Sequence, residues 1–359
     1  MKILLLFIFT GFSLSTLFSQ LTIDKDDFYH GSGSTGISTS TDFSIDYAST
    51  GADHSWDFSS LTENSQTFEF AYDISNGGQI INFQFGSFAA PEYQATYYQP
   101  YGGLPIDQIG NFLPVNIESV NRMVKVDSSQ VTFPGYSLEI DGNQIGFKSD
   151  TIEKGYDLIL QYGDTDSSRA YTNFDLNPFA DAQLIQYRQR KSEVDGFGNL
   201  ITPYGNYDAL RIHHAITEQD SLRIVVFGSN QWIPINRTIN HYEWWDKNSN
   251  RPVLRVSTQE IGGNENPTDI TYFNNTVLQT AKEDFVFSIY PNPVHQKLII
   301  KSDTEIKHLT LYDMAGKKVY ANSPSSMKVI VDVSDLRKGS YTIRIQTKKG
   351  EHVSPIVIE

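Results

Sequence analysis

Apolar and polar residues alternate with period two along most of this chain, the pattern of strands that bury one face. Phe68, Phe70 and Tyr72 alternate with Glu69 and Ala71, and Ile81, Phe83 and Phe85 alternate with Asn82 and Gln84, so both stretches predict strands. Leu138-Glu139-Ile140 and Gln144-Ile145-Gly146-Phe147 flank Asp141-Gly142-Asn143, a hairpin signal because such turns need positive φ. Residues 184–194 and Leu200-Ile201 flank the glycine-bearing 195–199 and predict a second hairpin. Leu210, Ile212, His214 and Ile216 share a face, as do Leu222, Ile224 and Val226, and Tyr242, Trp244 and Val253 to Val256 continue the pattern. The one helix candidate is 177–189, while the glycine-rich 31–42 and 262–268 read as loops. The expected fold class is all-β: a large antiparallel β body, sandwich or half-barrel.

The last 75 or so residues differ in texture. Phe285, Phe287 and Ile289 alternate into Tyr290-Pro291-Asn292-Pro293, where two prolines fix φ twice and remove two donors, so neither ladder nor helix runs through. Short β runs follow at 298–300, 309–312, 319–320, 329–333, 341–345 and 356–358, with a turn at 313–317 in which Gly316 can take positive φ. These strands predict a small Ig-like β-sandwich after the body.

Tyr290-Pro291-Asn292-Pro293, Leu311 to Lys317, Val331 to Leu336, Gly339-Ser340-Tyr341 and the apolar terminus resemble the type A C-terminal sorting domain of the type IX secretion system. Carried onto this chain, the motif residues are Tyr290, Pro291, Asn292, Pro293, Gly316, Lys317, Leu336, Gly339 and Tyr341. Pro355 departs from the family, whose last strand usually carries a lysine near that place. The resemblance implies the type IX secretion machinery as partner. It also implies later removal of the tail, with the body released or attached to surface lipopolysaccharide.

The opposite end agrees. Met1-Lys2, the apolar Ile3 to Phe9 and a small residue at Ser19 read as a signal peptide over residues 1–19. The apolar run falls short of the ~20 residues a span needs. Charge supports a boundary near 280: residues 282–359 hold 12 of the 28 basic and 9 of the 42 acidic residues, leaving 16 against 33 before them. An acidic body does not suit nucleic acid. Without cysteine, an exported chain must rely on its packed core. The expected organisation is signal 1–19, β-rich body 20–281 and sorting domain 282–359.

Within the body, Thr50-Gly51 and Ser55 to Ser59 are similar to a phrase found near the start of exported proteins with this tail. Residues 202–211, 242–245 and 251–254 resemble strands of uncharacterised half-barrel envelope proteins. Gly31 to Gly36 fits G-x-G-x-x-G but has no flanking helix to cradle a phosphate, so it reads as a loop. His213, His214, His241 and Glu243 form a metal or acid–base group only if their strands pair, and satisfied histidines are commoner. Asp24 to Asp27 and Asp164-Thr165-Asp166 have the carboxylates of a calcium site without its glycine and distant Glu, so solvated turns and no cofactor are expected. No nucleophile elbow or catalytic carboxylate pair stands out. Tyr93, Tyr97, Tyr98 and Tyr101, on a Pro/Gly-rich segment, are the ligand-binding candidates for a sugar or apolar molecule. The expectation is an exported surface or secreted protein whose body is a non-catalytic binding or adhesion module. An extracellular hydrolase of polysaccharide or protein is the alternative.

Overall fold

The computed structural model describes residues 21–106, 113, 115–140, 143–226, 229–247, 249–276, 287–313, 317–347 and 351–358. The predicted signal peptide, the 282 boundary and Gly316 lie outside them. The chain divides into two compact units, Met1–Val277 and Leu278–Glu359.

In the first unit the strands are β1 Gly33–Ser40, β2 His54–Asp57, β3 Ser65–Asp73, β4 Tyr97–Pro100, β5 Ile117–Val126, β6 Gln130–Ile140 and β7 Asn143–Asp157. Then come β8 Thr165–Asp175, β9 Ala182–Thr202, β10 Gly205–Val226, β11 Ser229–Trp245, β12 Leu254–Ile261 and β13 Asn264–Phe273. Antiparallel pairing runs from β10 through β11, β12, β13, β1 and β3 to β9, and β9 pairs back to β10. The sheet therefore closes on itself as a barrel-like ring of twelve strands, where a sandwich or half-barrel was expected. Closure removes the exposed edges that an open sheet of this size would carry. The ring is thin at β3–β4, which pairs only Tyr72↔Tyr98 and Asp73↔Tyr97.

Five local expectations change. Residues 195–199 do not turn, because β9 runs straight through them. The glycines there serve close approach: β2 pairs in parallel with β9, and a Cβ on Gly198 would lie 2.0 Å from the His54 carbonyl oxygen. Residues 33–40 form a strand instead of a loop, held on both sides by β13 and β3. Likewise β13 starts at Asn264, so the glycine turn is confined to Gly262 and Gly263, both at positive φ. Finally, 78–85 is a helix, α1 (Gly78–Phe85), that buries Ile81 and Phe85 and exposes Ile80 and Phe83. Its i, i+4 spacing also reads as alternation over so short a run. The helix candidate at 177–189 is instead a turn leading into β9.

Alternation then decides what lies inside the ring. Along β10 the buried positions run from Leu210 and Ile212 in one apolar cluster, through His214, Glu218 and Asp220, to Leu222 and Ile224 in another. The same order holds on β9 (Val194, then Arg190, Arg188 and Gln186, then Leu184 and Ala182). Two apolar layers thus bracket a charged one.

The tail unit comprises β14 Phe287–Tyr290, β15 Lys297–Asp313, β16 Lys318–Asn322, β17 Ser326–Asp332, β18 Gly339–Thr347 and β19 Glu351–Ile358. They join in one six-stranded sheet, not two separate ones, because the long β15 pairs with β14, β16, β17 and β18. Leu298, Ile300, Leu309, Leu311, Val331, Ile343, Ile345 and Ile356 form its core. Pro355 sits on β19, an edge strand, where a missing ladder donor is tolerated.

Candidate functional site

Cross-strand register assembles a row of polar side chains that no single segment contains. Asp166 of β8 pairs with Ser192 of β9, Ser192 with His214 of β10, His214 with His241 of β11, His241 with Ser257 of β12, and Ser257 with Asp269 of β13. Opposed residues of antiparallel strands share a face, so all six project to the same side. Ser192 Oγ and His214 Nδ1 are 2.7 Å apart, and His241 Nδ1 and Ser257 Oγ 3.0 Å.

Beside this row Glu243 is a fully engaged carboxylate. It accepts hydrogen bonds from Tyr156 Oη (2.7 Å) and Trp245 Nε1 (2.9 Å) on one oxygen, and from Arg255 Nε (2.9 Å) on the other. Burial alone would raise its pKa, yet Arg255 and the donors around it hold it well below the usual carboxylate range. His214 Nε2 lies 3.6 Å from Glu243, beyond hydrogen-bond reach, and makes no other hydrogen bond. Burial, with Arg190 nearby, lowers His214 to about 4, so the ring is neutral near pH 7.

Deeper in the ring Glu153 binds Arg190 Nε at 2.7 Å and lies 3.5 Å from Arg188, which reaches Glu218 at the same distance. Arg237 pairs with Glu218 and stands 3.8 Å from Asp220. Burial and the neighbouring Glu218 push Asp220 up to about 7.

A cleft of about 290 Å³ opens onto one end of the polar row. Its lining includes Ser192 and His214, the carboxylates Asp157, Asp164 and Asp166, and the apolar Leu158, Ile159, Leu160, Val194 and Ile212. That volume suits a molecule of about one sugar ring, near the low end for ligand pockets.

The four tyrosines singled out in the sequence separate. Tyr97 is buried in the interior beside Tyr29. Tyr101 accepts a hydrogen bond from Arg188 at 2.6 Å and packs on Tyr136, so it too faces inward. Tyr93 donates to the Ser149 carbonyl oxygen, and Tyr98 stacks on Tyr72; both pack against the cluster under α1. Of the histidine group, His214, His241 and Glu243 come together, while His213 lies on the opposite face, stacked on Tyr242 at 4.5 Å. Among the described residues no three metal-ligating side chains gather at binding distance. Asp24 and Asp27 are not a solvated turn. Each lies 3.0 Å from Lys247, and Asp27 is buried. The row from Asp166 to Asp269 escaped the sequence because it needs five registers at once.

In the tail, Asn292 Oδ1 accepts the Val357 backbone N–H, and Val294 N–H bonds the Val357 carbonyl oxygen, both at 2.8 Å. Lys317 N–H bonds Asp313 Oδ1 at 2.9 Å, Leu336 packs on the core, and Tyr341 Oη donates to the Arg337 carbonyl oxygen. Gly339 sits at φ +146°, a conformation that favours glycine. Residues 288–359 match the family described as the secretion system C-terminal sorting domain. The tail is a sorting domain. It covers about a fifth of the chain and directs export by the type IX system, through the periplasm, to the cell surface or beyond. No helix among the described residues is long and apolar enough to cross a membrane.

No curated protein matches the chain. Among solved structures it is similar to PorZ, a bacterial surface component of the type-IX secretion system of Porphyromonas gingivalis, at 6% identity and a TM-score of 0.19. That likeness covers 67% of this chain and 58% of PorZ, so the chain spans less than two thirds of it, and a score this low carries no weight for fold or function.

Proposed function

We propose that this protein is a type IX cargo whose body, residues 20–281 behind a signal over 1–19, is a non-catalytic binding module for a sugar at the cell surface. What supports this is the cleft. Its lining brings together the Ser192 hydroxyl, three carboxylates and the apolar Leu158, Ile159 and Leu160. A sugar ring has hydroxyls on its rim and C–H groups on its faces, so it fits a site mixing hydrogen-bond partners with apolar walls. Attachment of the released body to lipopolysaccharide would place that cleft at the surface. The test is saturation-transfer NMR on the full chain with a monosaccharide panel, alongside Ser192→Phe to fill the cleft. Binding lost in the variant supports the proposal; sugar binding indifferent to it refutes it.

A second function, hydrolysis, is favoured by the 2.7 Å contact between Ser192 Oγ and His214 Nδ1 in a row pointing towards Glu243. Against it, His214 is too acidic to be a good general base near neutral pH, and Glu243 is saturated by other donors. Labelling of Ser192 by a fluorophosphonate probe would favour this alternative.

A further inference from the structure

Closure of the ring leaves one stretch of strand edge open. From Ser65 to Ala71, β3 pairs continuously with β1, but it meets β4 only at Tyr72 and Asp73. Past Tyr98, β4 follows β5 instead, so among the described residues no strand flanks the far side of Ser65 to Ala71. The register shows which groups point into that space. Gly36 lies opposite Phe68 and gives its carbonyl oxygen to the Asn274 N–H, on the side away from β3. Gly36 and Phe68 are therefore a non-hydrogen-bonded pair, and the Phe68 N–H and C=O project outward from the edge. Alternation gives Gln66 and Phe70 the same direction, and among the described residues these backbone groups have no hydrogen bond. Edge strands are commonly guarded by proline, lysine or a bulge. This stretch carries none of them. Ser65, Gln66 and Thr67 are exposed, and Phe68, Phe70 and Tyr72 form a half-buried row on one face, their rings 6.0 and 5.8 Å apart.

We infer that this edge pairs with the same edge of a second copy of the chain, antiparallel about a two-fold axis at Phe68. The outward residues are symmetric about that centre: Phe68 meets the partner's Phe68, and Gln66 meets the partner's Phe70. Each such pair exchanges two backbone hydrogen bonds, so the free groups of both edges are satisfied together and the contact closes at two copies. Charge agrees. The acidic body opposes self-association over most of its surface, but the stretch holds a single charge, Glu69, which Arg251 matches at 2.8 Å. This register sets Glu69 opposite the partner's Thr67 instead of a second glutamate. The contact is short, so the dimer is weak and depends on concentration. Nothing in it depends on the cleft.

The test is analytical ultracentrifugation of the full chain over about a hundredfold range of concentration. A reversible monomer–dimer equilibrium is expected. Gln66→Pro removes one outward donor without touching the bonds to β1, and Phe68→Lys brings two like charges together at the axis. Each should weaken the dimer about tenfold or more, with thermal unfolding at low concentration little changed. Because the chain has no cysteine, Phe68→Cys reads the register directly. Mild oxidation should link two copies through it, while Ser167→Cys, exposed on β8, links slowly if at all. A monomer at every concentration would overturn the proposal. So would a dimer that neither substitution weakens, or a Phe68→Cys chain that links no faster than the control.

Discussion

Asn292 and Val357, 65 positions apart, are joined by a 2.8 Å hydrogen bond from the Val357 backbone N–H to the Asn292 side-chain oxygen. The turn that opens the sorting domain is thereby tied to the strand that ends it, and the Val294 N–H bond to Val357 lies beside it. Asn292→Ala should cost about 1 kcal/mol, the usual net worth of such a bond. Fractionation should then show less protein in the medium or at the surface. Unchanged secretion together with unchanged thermal unfolding would mean the tie is dispensable.

Deleting residues 286–359 should hold the body in the periplasm, because the sorting domain is lost while the proposed N-terminal signal is kept. Immunoblotting of cell fractions reads this directly. Normal surface or medium levels without the tail would contradict it.

Glu243→Ala should be among the most damaging single changes in the body. Arg255, Tyr156 and Trp245 would each lose an acceptor, and the half-buried Arg255 guanidinium would lose the carboxylate it is bonded to. Breaking a buried pair this way costs on the order of 3–5 kcal/mol. Urea unfolding should show it, and a loss under about 1 kcal/mol would mean water reaches the site.

Stability should fall on both sides of a mildly acidic optimum. Asp220 is raised from 3.8 to about 7, so the folded state binds its proton more tightly; that stabilisation is complete below pH 4 and is lost as pH rises through 7. His214 is lowered from 6.5 to about 4 and Glu153 from 4.5 to about 2, so each stabilises above its unfolded value and loses that contribution as pH falls. Asp220→Asn should therefore stabilise the protein at pH 8 relative to the unaltered one, by on the order of 2 kcal/mol, with little gain at pH 4. Equal pH profiles for the two proteins would show that the carboxyl is hydrated.

Gly198→Ala should destabilise β9. The residue sits at φ +150°, and the added methyl would meet the His54 backbone at 2.0 Å. Unusual backbone plus a backbone clash points to a loss of about 1–3 kcal/mol or more. Gly163→Ala, also at positive φ but with open space around it, is the control for the clash alone.

Much of this architecture is written locally. Period-two alternation at Leu210 to Ile216, and at Tyr341 to Ile345, follows from strand geometry and needs no knowledge of neighbours, so the all-β class was legible. The sorting domain was legible too, because prolines, turn residues and short apolar runs act over a few residues each. Alternation says which residues share a face but not which face is inside. Arg188, Arg190 and Glu218 look like solvent positions until a closed ring puts them in its interior. Likewise nothing local distinguishes a glycine that turns from Gly198, which makes room for another strand. The cleft and the Asp166-to-Asp269 row depend on pairing between strands far apart in sequence. That pairing is settled by packing and ring closure, which only the folded chain possesses.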